Sequence, residues 1–305
     1  MAREYFAVGA YQRGVERARA AVDALEVTPT NTRFGPGTLL PPVGSRTWLA
    51  LCLASLGQFG QAVTWAESAI QLADKAADPQ AQVWANYTLG HIHCMRGHFE
   101  QAEPLLERAA SLSERGRFPI YSPRVLASLG TVYTVRGRPA EGLALLERAA
   151  TEGEANRVLY GHALVLIQLG EAQLAGLPEK AERNASRALE VACRHGQRGN
   201  EAWAVHLLAQ VAALHPPSGD EGAMTHAIRA MSLATELGMR PLVAHCHLGL
   251  GTLAQRADNV EQARMHLTSA GAMYREMDML FWLAEAEAEL ADHRRGASGN
   301  AASSV

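Results

Sequence analysis

The dipeptide Leu-Gly recurs in this chain at a fixed interval. It stands at Leu89-Gly90, Leu129-Gly130 and Leu169-Gly170, each copy 40 residues after the last, and Leu208-Ala209 and Leu250-Gly251 continue the series at 39 and 42. A second marker keeps step, a turn seven residues after the Gly, at Arg96-Gly97-His98-Phe99 and Arg136-Gly137-Arg138-Pro139. Earlier and later copies are Leu56-Gly57-Gln58-Phe59 and Ala257-Asp258-Asn259-Val260, and Gly9 to Gly14 is a degenerate first one. A period in this range means stacked supersecondary units, because each unit buries its apolar face only against its neighbours.

The unit reads as two antiparallel helices. In the second, Ala102, Leu106 and Ala109 recur at i, i+4 and i+7, matched by Gly142, Leu146 and Ala149. In the first, the Gly of each Leu-Gly pair lets a neighbouring helix come close. Gly97 and Gly137 supply the left-handed residue that reverses the chain, and Pro79, Pro119 and Pro241 punctuate the joints between units. Few runs of Val, Ile or Thr interrupt an Ala-, Leu- and Glu-rich chain, so the expected fold class is all-α: an α-α superhelix, a solenoid of antiparallel helix pairs over residues 1–293. The expected organisation is a partial first repeat at 1–27 kept mainly as its second helix, a Pro-rich loop at 28–45 with Phe34 and Leu39-Leu40 packed on the array, and repeats from about 46, 81, 121, 160, 200 and 241. His215 to Asp220 replaces one compact turn, a capping helix covers 279–293, and 294–305 is a disordered tail. The opening reads as cut from something longer.

These markers resemble the tetratricopeptide repeat (TPR), whose signature has Leu-Gly and an aromatic in the first helix and Ala-x-x-x-Phe in the second. The chain departs from it at Asn86, Leu126 and Leu166, where the signature has Trp, and at Leu106 and Leu146, which replace the aromatic; the period is also longer than the usual one. The segment Leu237 to Gly251, with Met273 to Met279 and Phe281-Trp282-Leu283, is similar to the C-terminal repeat arrays of bacterial proteins that join a class III cyclase and a STAND or AAA ATPase. The resemblance implies a bacterial signalling setting. The catalytic parts of those relatives, a GxxxxGK[ST] phosphate loop and a cyclase aspartate pair, are not found in this sequence.

A net charge of −3 offers no overall positive field for nucleic acid or anionic lipid, and no stretch reaches a membrane-spanning apolar length. Without an evident signal peptide, a cytoplasmic location is expected. Cys52, Cys94, Cys193 and Cys246 form no CxxC pair and read as small buried apolar residues. His91-Ile92-His93-Cys94 and His245-Cys246-His247 invite a metal reading. Residues two apart on a helix point to different sides, so packing histidines fit better, and neither metal nor cofactor is expected. Glu285 and Glu289 read as a solvated helix face, and no catalytic constellation emerges.

The first helices should face a concave groove while the second helices form the outer wall. That register puts Trp84, Tyr87, His91, Met95, Arg124, Thr131, Thr134, Glu171, Trp203, His206, Gln210, His245, Thr252 and Arg256 on the groove. Aromatics flanked by His and Arg suit a protein or peptide partner with an apolar anchor and an acidic group. Trp84 and Trp203 equally suit a space-filling role between units. The expected function is a non-catalytic interaction scaffold; the alternative is a small-molecule sensor that shifts conformation on binding.

Overall fold

The 40-residue period appears in the computed structural model as helix pairs, each an inner and an outer helix. Residues 2–25, 39–156, 161–215 and 220–302 are described, with side chains up to 291. Fifteen helices are found among them: α1 (Ala2–Ala7), α2 (Tyr11–Leu25), α3 (Pro41–Ser55), α4 (Phe59–Lys75), α5 (Pro79–Arg96), α6 (Phe99–Gly116), α7 (Ser122–Val135), α8 (Pro139–Ala155), α9 (His162–Gln173), α10 (Pro178–Arg194), α11 (Arg198–Ala212), α12 (Asp220–Glu236), α13 (Arg240–Arg256), α14 (Val260–Glu276) and α15 (Leu280–Ala302). The fold is an all-α superhelix of antiparallel helix pairs, with no strand among the described residues.

Three boundaries differ from those read in the sequence. α3 begins at Pro41, inside the segment assigned to the loop, because Pro41 and Pro42 occupy the first turn of a helix, where a missing N–H costs nothing. The first unit has both of its helices, α1 being a short six-residue one. α15 continues to Ala302, so the helix enters the segment expected to be a disordered tail. The packing expected of Phe34 lies outside the described residues, as do 216–219 of the expected His215–Asp220 turn; Leu40 is buried.

Inner and outer helices differ in how much they bury. α5 buries twelve residues from Ala81 to Cys94, whereas α6 buries one stripe, Phe99, Ala102, Leu106, Ala109 and Ser113. α10 reduces the stripe to Ala181, Ala185, Ala188 and Ala192. The Leu-Gly glycines sit where the two layers touch. A Cβ at Gly90 would stand 2.7 Å from Leu106 Cγ, and one at Gly130 would stand 2.7 Å from the Gly142 carbonyl oxygen. Burying a side chain such as Leu106 or Leu146 contributes about 1.5–3 kcal/mol, so these seams hold the hairpins together.

The superhelix winds tightly enough to meet itself. One apolar core joins Tyr11, Val15 and Leu53 of the first units to Val205, Leu242, Tyr274, Met277 and Leu283 of the last. A Cβ on Gly199 of α11 would lie 1.9 Å from the Tyr11 hydroxyl, one on Gly57 would lie 2.6 Å from Met277 Sδ, and one on Gly97 would lie 2.6 Å from Phe281 Cβ. Gly97 also has φ 78° and caps α5 by donating its N–H to the Cys94 carbonyl. Two requirements, a left-handed turn and a close approach, thus coincide at this glycine. Phe99 packs edge-on against Phe281 with ring centroids 5.2 Å apart, and Arg96 pairs with Asp278 across 182 residues of sequence.

Candidate functional site

The first and last units touch, and seven helices of the superhelix line a half-open chamber of about 290 Å³. Its walls come from α5 (His91, Cys94, Met95), α6 (Phe99), α7 (Thr131, Thr134, Val135), α9 (Leu164, Ile167, Gln168, Glu171), α11 (Trp203, His206, Gln210), α13 (Pro241, His245) and α15 (Trp282). Val135 and Gln210 are exposed and mark its mouth. A smaller hollow of about 60 Å³ shares His91, Met95, Leu164 and Trp203 and reaches Arg124. Another, of about 200 Å³, shares His206, Gln210 and His245 and holds Thr252, Arg256 and Glu285.

Nine of the fourteen residues read from the register line the main chamber: His91, Met95, Thr131, Thr134, Glu171, Trp203, His206, Gln210 and His245. Thr252 and Arg256 line the adjoining hollow instead, where Arg256 donates to the Ala213 carbonyl at 2.6 Å. Trp84 and Tyr87 are placed elsewhere. Both are buried in the seam between units, Trp84 donating its indole N–H to Thr47 Oγ1 at 3.0 Å, and the guanidinium of Arg124 lies 5.0 and 5.3 Å from their ring centroids. For Trp84 this is the space-filling role, while Trp203 is only partly buried and faces the chamber. Arg124 is itself only 4% exposed, so its charge is spent on rings inside the wall.

The electrostatics of the chamber follow from burial. Desolvation pushes His91 down to about 3, helped by the Arg124 charge, His206 down to about 4, and His245 down to about 3, helped by His206. All three imidazoles are therefore neutral at physiological pH. The rings form a connected wall: Trp203 to His245 at 5.6 Å, His206 to His245 at 6.2 Å, and Trp282 edge-on to His245 at 4.9 Å. The His245 Nδ1 lies 2.8 Å from the Tyr274 hydroxyl, and His91 Nδ1 lies 3.2 Å from Ser128 Oγ. Burial alone lifts the Glu171 carboxyl to about 7. The hydroxyls of Thr131 and Thr134 donate back to the Ala127 and Gly130 carbonyls and add little donor capacity to the space.

Alternate histidines of each run turn to different neighbours. His93 stacks on His98 and His247 packs at a tilt against His266, away from His91 and His245, and no group of three metal-ligating side chains occurs among the described residues. Burial pushes the Cys52, Cys94 and Cys246 thiols up to about 12, whereas Cys193 is exposed, on the outer helix α10, contrary to its reading as buried. Glu285 is exposed at the edge of the side hollow.

Ten of the nineteen chamber residues were not anticipated from the sequence, Gln168, Phe99 and Trp282 among them. Gln168 lies one helical turn before Glu171, and the i, i+3 spacing would have found it. Phe99 reads as the start of an outer helix. Trp282 belongs to the terminal helix, and its only signal was an aromatic pair on an otherwise Ala- and Glu-rich segment.

Comparison with known proteins agrees with this architecture. Residues 45–115, which span α3 to α6 apart from the first turn and the last residue, match the tetratricopeptide repeat family model. No curated protein matches the chain at the level of sequence. Among solved structures, the fold is similar to the Rap conjugation gene regulator of the plasmid pLS20 in complex with the Phr* peptide (TM-score 0.68, 13% identity, covering 92% of this chain and 74% of that one). It is also similar to a Rap protein complexed with competence and sporulation factor (TM-score 0.62, 11% identity, 95% and 82%), and to BtubC from P. vanneervenii (TM-score 0.52, 19% identity, 72% and 92%). At these identities the likeness is one of fold. The chain thus carries a tetratricopeptide-repeat segment at 45–115 within an all-α, TPR-like superhelix.

Proposed function

We propose that this protein is a non-catalytic, ligand-binding regulatory module whose interior chamber takes a compact ligand: the end or a side chain of a peptide partner, or a small molecule. The observation that carries this reading is the convergence of seven helices on one half-open chamber with apolar walls and a few polar groups, the usual form of a ligand site. A volume of about 290 Å³ suits a small ligand or one or two residues better than an extended peptide lying along a trough. Two structural likenesses solved as complexes, one of them with a peptide, are in keeping with it. The resemblance of Leu237 to Gly251 to cyclase- and ATPase-linked arrays makes a cytoplasmic signalling system the proposed setting, which the neighbouring coding sequence tests.

Thermal-shift screening with peptide and metabolite libraries tests the binding role. A ligand present at a hundred times its Kd adds about 2.7 kcal/mol to stability. Ala172 lines the chamber, so Ala172→Phe fills part of it from within. The expected result is a set of ligands that raise the melting temperature of the wild type and not that of Ala172→Phe. Ligands that stabilise both proteins equally would place binding outside the chamber and refute the proposal.

A further inference from the structure

Glu171 lines the chamber as an acid with no hydrogen bond or ion pair to any described residue. Every other titratable group on the chamber wall, His91, Cys94, His206 and His245, is held in its neutral form near pH 7 by burial. One turn before Glu171, Gln168 is 7% exposed and its Oε1 is buried with no hydrogen-bond partner. Both residues belong to the same face of α9 and to the same space. A buried acceptor left unsatisfied is destabilising, and a buried carboxylate without a counter-charge is more so. Two acceptors one turn apart, neither of them hydrogen-bonded to a described residue, make a site lacking its donor.

The surroundings select the charge of that donor. Trp203, Trp282 and His245 wall the same space, and the face of an aromatic ring attracts cations. Among the described residues no Arg or Lys lines the chamber: Arg124 borders the smaller hollow against Trp84 and Tyr87, and Arg256 lies in the adjoining one. An anion would meet Glu171 with no compensating positive charge on the chamber wall. Met95, Leu164 and Ile167 offer room for an apolar stem. Resting on the ligand-binding role proposed above, we infer that the chamber receives a protonated amine carried on an apolar stem, its N–H groups donating to the Glu171 carboxylate and to Gln168 Oε1. The same chemistry is presented by a free arylalkyl amine and by a lysine side chain of a peptide.

Ionisation of Glu171 near neutrality gives this site its own signature. With the carboxyl at about 7, the ionised fraction rises roughly ten-fold between pH 6 and pH 8, while an aliphatic amine stays protonated and the neighbouring histidines and Cys94 stay neutral. Amine affinity should therefore rise about ten-fold over that interval. The experiment is titration calorimetry with phenethylamine, phenethyl alcohol and hydrocinnamate, three probes of similar shape and different charge, against wild type, Glu171→Gln and Gln168→Met. A lysine-containing tripeptide and its norleucine counterpart form a second arm, which separates a peptide source of the amine from a free one. The expected result is phenethylamine, or the lysine peptide, binding at least ten-fold tighter than its uncharged counterpart, with release of a proton. Glu171→Gln should lose that preference and the pH dependence, and Gln168→Met should weaken binding with the pH dependence kept. Equal binding of amine and alcohol, or undiminished amine binding by Glu171→Gln, overturns the inference. Silence of every probe while the library screen still yields chamber-dependent ligands overturns the amine alone; silence of both overturns the chamber as well.

Discussion

Acidification should act on this fold in two opposing ways, and Glu171 separates them. His91, His206 and His245 have folded values near 3 to 4 against 6.5 unfolded, so their contribution is present above 6.5 and is lost as pH falls toward the folded values. Between pH 7 and pH 5 the unfolded chain gains proton-binding free energy that the folded chain does not, about 2 kcal/mol for each of these histidines. Glu171 runs the other way. Its folded value, about 7, lies above the ordinary value of 4.5, so its favourable contribution is present below 4.5 and is lost as pH rises through 7. Going from pH 7 to pH 5 the folded protein takes up a proton there, which is worth about 2 kcal/mol and cancels roughly one histidine.

Glu171→Gln removes that cancellation without changing the shape of the side chain. Urea unfolding followed by far-ultraviolet circular dichroism, at pH 7 and at pH 5, reads the difference. The loss of stability on acidification should be about 2 kcal/mol larger in Glu171→Gln than in the wild type, and about 2 kcal/mol smaller in His206→Asn. Comparing slopes cancels every other titrating group and any pH-independent cost of the substitutions. Wild type and Glu171→Gln losing stability in parallel, to within about 0.5 kcal/mol, would refute the burial of an unpaired carboxyl at this position.

Two further substitutions probe the fold that forms the chamber. Gly199→Ala puts a methyl 1.9 Å from the Tyr11 hydroxyl and should cost about 1–3 kcal/mol by forcing the first and sixth units apart; Tyr11→Phe in the same chain should restore part of that, read as a paired loss and recovery of melting temperature. Leu106→Ala empties the seam opposite Gly90 and should cost about 2–5 kcal/mol, whereas Gly90→Ala should also destabilise, because the same seam has no room to gain an atom.

The repeat was legible because it is written locally. Leu-Gly pairs, the glycine turns and the i, i+4, i+7 stripes of the outer helices each concern residues within one unit, and α5 to α8 carry them as read. The register likewise put nine residues on the chamber wall, since which face of an inner helix points inward depends only on where its outer partner packs. What the sequence did not show is the closure. It depends on a small rotation per unit accumulated over several units, which no single marker encodes. Its contacts, such as Arg96 with Asp278, join residues that no periodicity relates. For the same reason the sequence assigned Trp84 and Tyr87 to the groove: both are on the inner helix, but the angle between neighbouring units turns them into the seam under Arg124.

Closure and chamber are built from the same side chains, and this links ligand binding to the winding of the whole superhelix. Trp282 touches Phe99 of the third unit and His245 of the seventh while forming part of the chamber wall, and Phe281 beside it fills the space over Gly97. If α15 moved away from α5 and α6, the chamber would lose that wall and open into a trough, leaving Glu171 in water with its acidity back in the ordinary range. A ligand held by α9, α11 and α15 together therefore binds the closed form alone, and mass action makes it a stabiliser of closure. The reverse follows from the same equilibrium: a substitution that loosens the contact between Tyr11 and Gly199 should weaken ligand binding without touching the chamber, by the fraction of molecules it leaves open.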